Sequence, residues 1–177
     1  MSPHAVEPST RPHDEAGLDG TDRWLRIASL SVIVVLVGAG LLGLLGLRVG
    51  TVTAAGGGLE LEVRHASVTR PGIATPFVVK VSSSDGSPLP ALVTIRIDRS
   101  YLEILDENGI DPDPTTSFQD ERWTWWGFAV PEGAQGVLVG FDARLQPSSQ
   151  VGRRGTVAVE VDGQEVVSAE ILTVVMP

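Results

Sequence analysis

Residues Gly136 to Leu145 read Gly-Val-Leu-Val-Gly-Phe-Asp-Ala-Arg-Leu. Val137, Val139, Phe141, Ala143 and Leu145 fall on one side of an extended chain, and the residues between them fall on the other. A period of two over this length describes a strand with one buried face. The pattern recurs in both directions. Toward the carboxy terminus, Gly155 to Val161 places Val157, Val159 and Val161 on one face, Asp162-Gly163 is hairpin-turn chemistry, and Val166 to Val175 closes the chain. Toward the amino terminus lie the aromatic run Arg122 to Val130, then Ala91 to Asp98, Phe77 to Val81 and Leu59 to Val63. Turn formers separate them: Arg70-Pro71-Gly72, the SSSDGSPLP segment ending at Pro90, Asn108-Gly109, and Pro112-Asp113-Pro114. Ser100 to Glu107 reads either as two turns of helix or as another extended piece.

Short strands at this spacing, with at most one short helix, predict an all-β, immunoglobulin-like sandwich of seven to eight antiparallel strands over residues 59–177, with a small barrel as the alternative. With no cysteine, the sandwich has no inter-sheet disulfide. Leu92 to Ile97, Ser100-Tyr101-Leu102, Asp111-Pro112-Asp113-Pro114, the Trp123 strand, Gly136 to Leu145 and the valine-rich end at Val175-Met176-Pro177 together resemble the bacterial Ig-like ectodomains of CARDB and DUF11 type. That resemblance covers roughly residues 60–177 and implies an adhesion or spacer module with no catalytic residues. A single such domain behind one apolar segment resembles small actinobacterial single-pass membrane proteins.

The apolar segment is Ile27 to Leu47, which holds no charge and only two hydroxyls, Ser29 and Ser31. At ~1.5 Å per helical residue it spans about 31 Å, close to the hydrocarbon thickness of a bilayer. Trp24, Arg26 and Arg48 flank it as interfacial anchors. The run is too long for a cleavable signal peptide, and too many polar residues precede it, although Val52-Thr53-Ala54-Ala55 has the small residues of a cleavage site. The sequence therefore divides into a disordered cytosolic tail (1–23), a transmembrane helix acting as signal-anchor (24–48), a Gly-rich linker (49–58) and the β-domain (59–177). Arg11, Arg23 and Arg26 outnumber Arg48 and Arg64, which predicts a cytoplasmic amino terminus and an extracytoplasmic domain at the cell membrane. Ala39, Gly43, Gly46 and Gly50 share one face of a continued helix, a small-residue stripe suited to a membrane-protein partner or a homodimer.

Composition excludes several functions. A net charge of −9 opposes nucleic-acid binding. The absence of cysteine and the presence of only three histidines (His4, His13, His65) leave little for thiol, zinc or His-based chemistry. His65 is the only histidine past the apolar segment, and no nucleophile-elbow pattern accompanies it. Gly56-Gly57-Gly58 reads as linker and not as a phosphate cradle, and Arg153-Arg154 as a solvated loop pair. The acidic stretch from Asp106 to Asp113 has calcium-type ligands but the wrong spacing for an EF-hand, so it reads as a solvated turn region. No catalytic residue, metal ligand or cofactor is expected.

The most informative part of the domain is Trp123-Thr124-Trp125-Trp126-Gly127-Phe128. In a strand, Trp123 and Trp125 point one way while Trp126 and Phe128 point the other. Two aromatic faces need two apolar environments. One is the core; the second is covered by the Ser100–Phe118 segment, the membrane surface, a partner protein or a stacked sugar ring. Trp126 and Phe128 are assigned as the interaction surface. The chain is thus expected to be a non-catalytic accessory or protein-interaction subunit of the cell envelope, with a cell-wall glycan-binding module as the alternative.

Overall fold

The computed structural model describes residues 18–41, 46–149 and 151–176. The expected tail is therefore seen only from Leu18 onward, and Gly43 lies outside the described residues. The chain divides into two compact units, one ending at Leu45 and the other starting at Gly46.

The first unit holds helix α1, Leu18–Leu41. From Asp22 to Leu41 it is long and apolar enough to cross a membrane, with a mean hydropathy of 2.0, and none of that stretch is buried against protein. The hydroxyl of Ser29 donates to the Arg26 carbonyl (3.0 Å), which satisfies its donor inside the apolar run. The helix begins six residues before the expected start at Trp24, since Leu18 to Arg23 are helical. Extending a nucleated helix costs little per residue, so an apolar run carries neighbouring polar residues with it.

The second unit contains β1 (Arg48–Gly56), β2 (Leu59–Thr69), β3 (Ala74–Ser83), β4 (Leu92–Asp98), the single-turn helix α2 (Arg99–Leu102), β5 (Leu105–Asp111), β6 (Thr116–Gln119), β7 (Trp123–Ala129), β8 (Gly136–Leu145), β9 (Arg153–Val161) and β10 (Gln164–Val175). They form one ten-stranded sheet in the order β5-β8-β3-β2-β10-β9-β4-β7-β6, with β1 added beside β2. The sheet curls into a half-barrel whose two halves enclose the core, an arrangement consistent with a β-sandwich. The strand count corrects the expected seven to eight. The expectation of purely antiparallel pairing also fails at one point: Val174 and Val175 run parallel to Val68 and Thr69. Strand β10 is twelve residues long, so it outlasts its antiparallel ladder with β9 and its free end bridges to β2.

Three strands were not expected. Residues 49–58, read as linker, instead belong to β1 and its hairpin with β2, registered from Arg48 opposite Val68 to Gly56 opposite Leu59. Gly57 and Gly58 both have positive φ (55° and 80°), as a two-residue type I′ turn requires. The glycine run is thus a tight turn, and Val52 and Ala54 pack on the core. Strand β5 passes through Asn108-Gly109 by means of a bulge between Glu107 and Gly109, so most of the expected acidic loop is extended chain paired with β8. Strand β6 spans only four residues.

The alternating residues meet inside. Leu61, Val63, Val79, Val81, Val93, Ile95, Ile97, Val139, Leu145, Val157 and Val159 are fully buried. The expected hairpin at Asp162-Gly163 is present, with φ of 52° and 75°. A buried polar latch joins remote elements. The Thr173 hydroxyl donates to the Ala66 carbonyl (2.7 Å), so the Tyr101 phenol must be the donor in its 2.8 Å contact with Thr173. Burial pushes the Tyr101 pKa up to about 12. Gly155 lies under that ring, and a Cβ there would run into the Tyr101 side chain.

Candidate functional site

Strand β7 is where the sequence presented two aromatic faces, and its neighbours decide between them. Trp126 stands opposite Ile95 of β4, and Phe128 opposite Val93. Both neighbours are core residues, so Trp126 (7% exposed) and Phe128 (1% exposed) point inward. Trp126 meets Phe141 of β8 edge-on, with ring centroids 5.4 Å apart. Trp126 and Phe128 therefore do not form the interaction surface expected of them; packing against the opposite half of the sheet takes that face.

The outward aromatic face belongs to Trp123 and Trp125. In the register of the sheet, Phe118 of β6, Trp125 of β7 and Arg96 of β4 form one row. The Phe118 and Trp125 rings lie 5.3 Å apart, tilted by 38°. Phe118 covers part of Trp125 but is itself 66% exposed, so the cover supplied by the Ser100–Phe118 segment moves the apolar surface to the edge of the sheet without removing it.

Arg96 organises the other side of the row. Its guanidinium pairs with Glu160 (2.6 Å) and with Glu165, and it lies over the Trp123 ring at 4.4 Å from the centroid. Arg122 approaches the same ring at 5.0 Å. Trp123 is thus engaged by two cations, while Phe118 is exposed and Trp125 is half-buried beside it. Asp120 shapes the turn between β6 and β7. Its carboxylate accepts from the backbone N–H groups of Arg122 and Trp123, both at 2.7 Å. Those bonds, Trp123 first, hold the Asp120 carboxyl below its ordinary range, with nearby Arg122 and Arg99 adding to the effect.

On the inner side of the same edge lies an open groove of about 310 Å³, lined by Arg99, Leu102, Glu107, Gln119, Thr124 and Trp126 among others. Burial raises the Glu107 pKa there. Trp126 thus reaches the groove floor although it is a core residue.

The small-residue stripe does not lie on one helix. Ala39 is in α1, but Gly46 is non-helical and Gly50 sits in β1, where its Cα faces Ser67 and His65. His65 is buried; Nε2 donates to the Leu172 carbonyl (3.1 Å), and desolvation lowers its pKa below 6.5. Arg153 and Arg154 are paired into β9 and are not in a loop, and Arg154 approaches Glu170 at 3.8 Å. Among the described residues, no three His, Cys, Asp or Glu side chains are grouped to hold a metal ion. Sequence reasoning missed Phe118 because its strand is short; its place between two turn-rich segments was the one available signal.

No protein-family model matches the sequence, and no curated protein matches it. Among solved structures, the chain is similar to the N-terminal domain of an adhesin from Streptococcus gordonii (TM-score 0.46, 10% identity, 62% of this chain and 30% of that one). It is also similar to a non-cellulosomal cohesin from the hyperthermophilic archaeon Archaeoglobus fulgidus (TM-score 0.38, 12% identity, 62% of this chain and 86% of that one). The chain therefore spans less than a third of the adhesin chain that it matches.

Proposed function

We propose that this chain is a single-pass membrane protein of the cell envelope, with a cytoplasmic amino terminus, whose Ig-like extracytoplasmic β-domain is a non-catalytic protein-interaction module. The apolar helix from Asp22 to Leu41 supports the anchor, and the arginine distribution supports the orientation. The resemblance to CARDB and DUF11 ectodomains points the same way. The observation that carries the reading is the aromatic pair Phe118–Trp125 at the exposed end of the sheet. An aromatic patch beside a free strand edge is the surface a partner protein uses, since it offers apolar area together with backbone hydrogen bonds. The full-length chain in native membranes, treated with a chemical cross-linker, should give a protein adduct that the double variant F118A/W125A loses. An undiminished adduct would overturn the assignment of this surface.

A second reading has one observation of its own. At this edge an open pocket lined by Ser117, Gln119, Thr124 and Trp126 sets an aromatic ring beside hydroxyl and amide groups, which suits a cell-wall glycan. Retention of the solubilised full-length chain on isolated wall polysaccharide, lost in the double variant S117A/Q119A, would favour it over the first.

A further inference from the structure

Among the described residues the main path of the sheet ends at β5 and at β6, while β1, off that path, lies against β10 at Gly56 and Val166. Strand β5 carries Asp106, Glu107 and Asp111 and a bulge between Glu107 and Gly109, and these features discourage another strand from pairing with it. Strand β6, Thr-Ser-Phe-Gln, has no charge, no proline and no irregularity in its register with β7, and all four residues are exposed. An unguarded edge on a chain of net charge −9 is a specific feature.

The phase of its backbone follows from the closed end of the hairpin. Asp120 N donates to the Trp123 carbonyl (2.9 Å), opposite residues of the same ladder. Antiparallel ladders alternate, so Phe118 turns its N–H and C=O toward β7, while Ser117 and Gln119 turn theirs to the open edge. Two outward-facing residues flanking one inward-facing residue make a self-complementary strand.

We propose that β6 pairs antiparallel with β6 of a second copy of this chain, about a two-fold axis at Phe118. The inference rests on the reading of this edge as the interaction surface and names its partner. In this register Ser117 exchanges backbone hydrogen bonds with Gln119 of the second copy, and the symmetric pair forms likewise. Phe118 then stands directly opposite Phe118 of the second copy, beside both Trp125 rings, so the exposed apolar corner is covered by its own equivalent. A second copy brings an uncharged strand to an uncharged strand, so no like charges are opposed within the paired segment although each chain is strongly acidic. Anchoring both copies in one membrane raises their effective concentration, which suits a contact of only four residues per chain.

The absence of cysteine allows a direct test. Full-length chains bearing S117C and Q119C are co-expressed, and their membranes are mildly oxidised. A disulfide-linked dimer between the two variants is expected. Neither S117C nor Q119C expressed alone should form the dimer, and E107C on β5 should stay monomeric. Adding Q119P to the S117C chain and S117P to the Q119C chain removes one outward N–H from each copy without breaking the β7 ladder, and it should cut the mixed dimer by about tenfold, the effect of losing two weak hydrogen bonds. No mixed dimer, or equal dimer from E107C, overturns the proposal. If a thiol-reactive cross-linker joins the β6 cysteines to a different protein, the second copy is wrong but the interaction surface stands. If it joins them to nothing, both fall.

Discussion

The two faces of β7 carry the same kind of residue and serve opposite purposes. Trp126 and Phe128 close the core against Phe141 and the β4 isoleucine and valine, whereas Trp123 and Trp125 lie on the outside among arginines and Phe118. Inside, aromatic area is matched almost wholly by other side chains and holds the fold together. Outside, it is matched in part, and the unmatched part sits at a strand edge without charges. Aromatic content alone therefore says little about binding; what decides is whether the opposing layer has already used the ring.

This contrast can be broken most forcefully from within. Phe128→Ala should cost about 3–5 kcal/mol in chemical denaturation, since it deletes a fully buried ring and leaves a cavity. A loss below ~1 kcal/mol would mean that the inner face is not the core. Arg96→Met should rank next, at about 1–3 kcal/mol, because it leaves the largely buried Glu160 carboxylate without its partner and uncaps Trp123. Trp125→Ala should change stability by less than ~1 kcal/mol yet abolish the cross-linked species, the reverse of the Phe128 pattern. The smallest effect is acid sensitivity at the β6–β7 turn. The Asp120 carboxyl has its folded pKa held below the ordinary 3.8, so its stabilising bonds are fully present above that value and fade as pH falls through the folded pKa. Tryptophan emission should shift in that acid range in the parent and not in D120A, in which the turn is already released.

Much of the architecture was legible because it is written locally. The period of two in Gly136–Leu145 and Gly155–Val161, the Asp162-Gly163 turn and the uncharged run after Arg26 each depend on residues close in sequence. The missed strands depend on distant ones. β1 looked like a tether because three glycines adjoin it, yet the alternation of Val52 and Ala54 against β2 makes it a strand. β5 looked like a turn because of its acids and Asn108-Gly109, and pairing with β8 absorbs the irregularity as a bulge. The candidate site was half legible: the sequence shows that β7 has two aromatic faces, but which of them turns inward depends on the Ile95 and Val93 of β4 that stand opposite.

By itself, the sequence determined an apolar helix followed by a β-rich domain, because burial period and chain hydropathy are properties of neighbouring residues. Only the tertiary structure decided which side of β7 is inside, that β10 bridges to β2, and that β6 is left as an uncharged open edge. Those outcomes depend on which strands lie alongside, and strand pairing brings together residues far apart in the chain, where no local pattern carries the information.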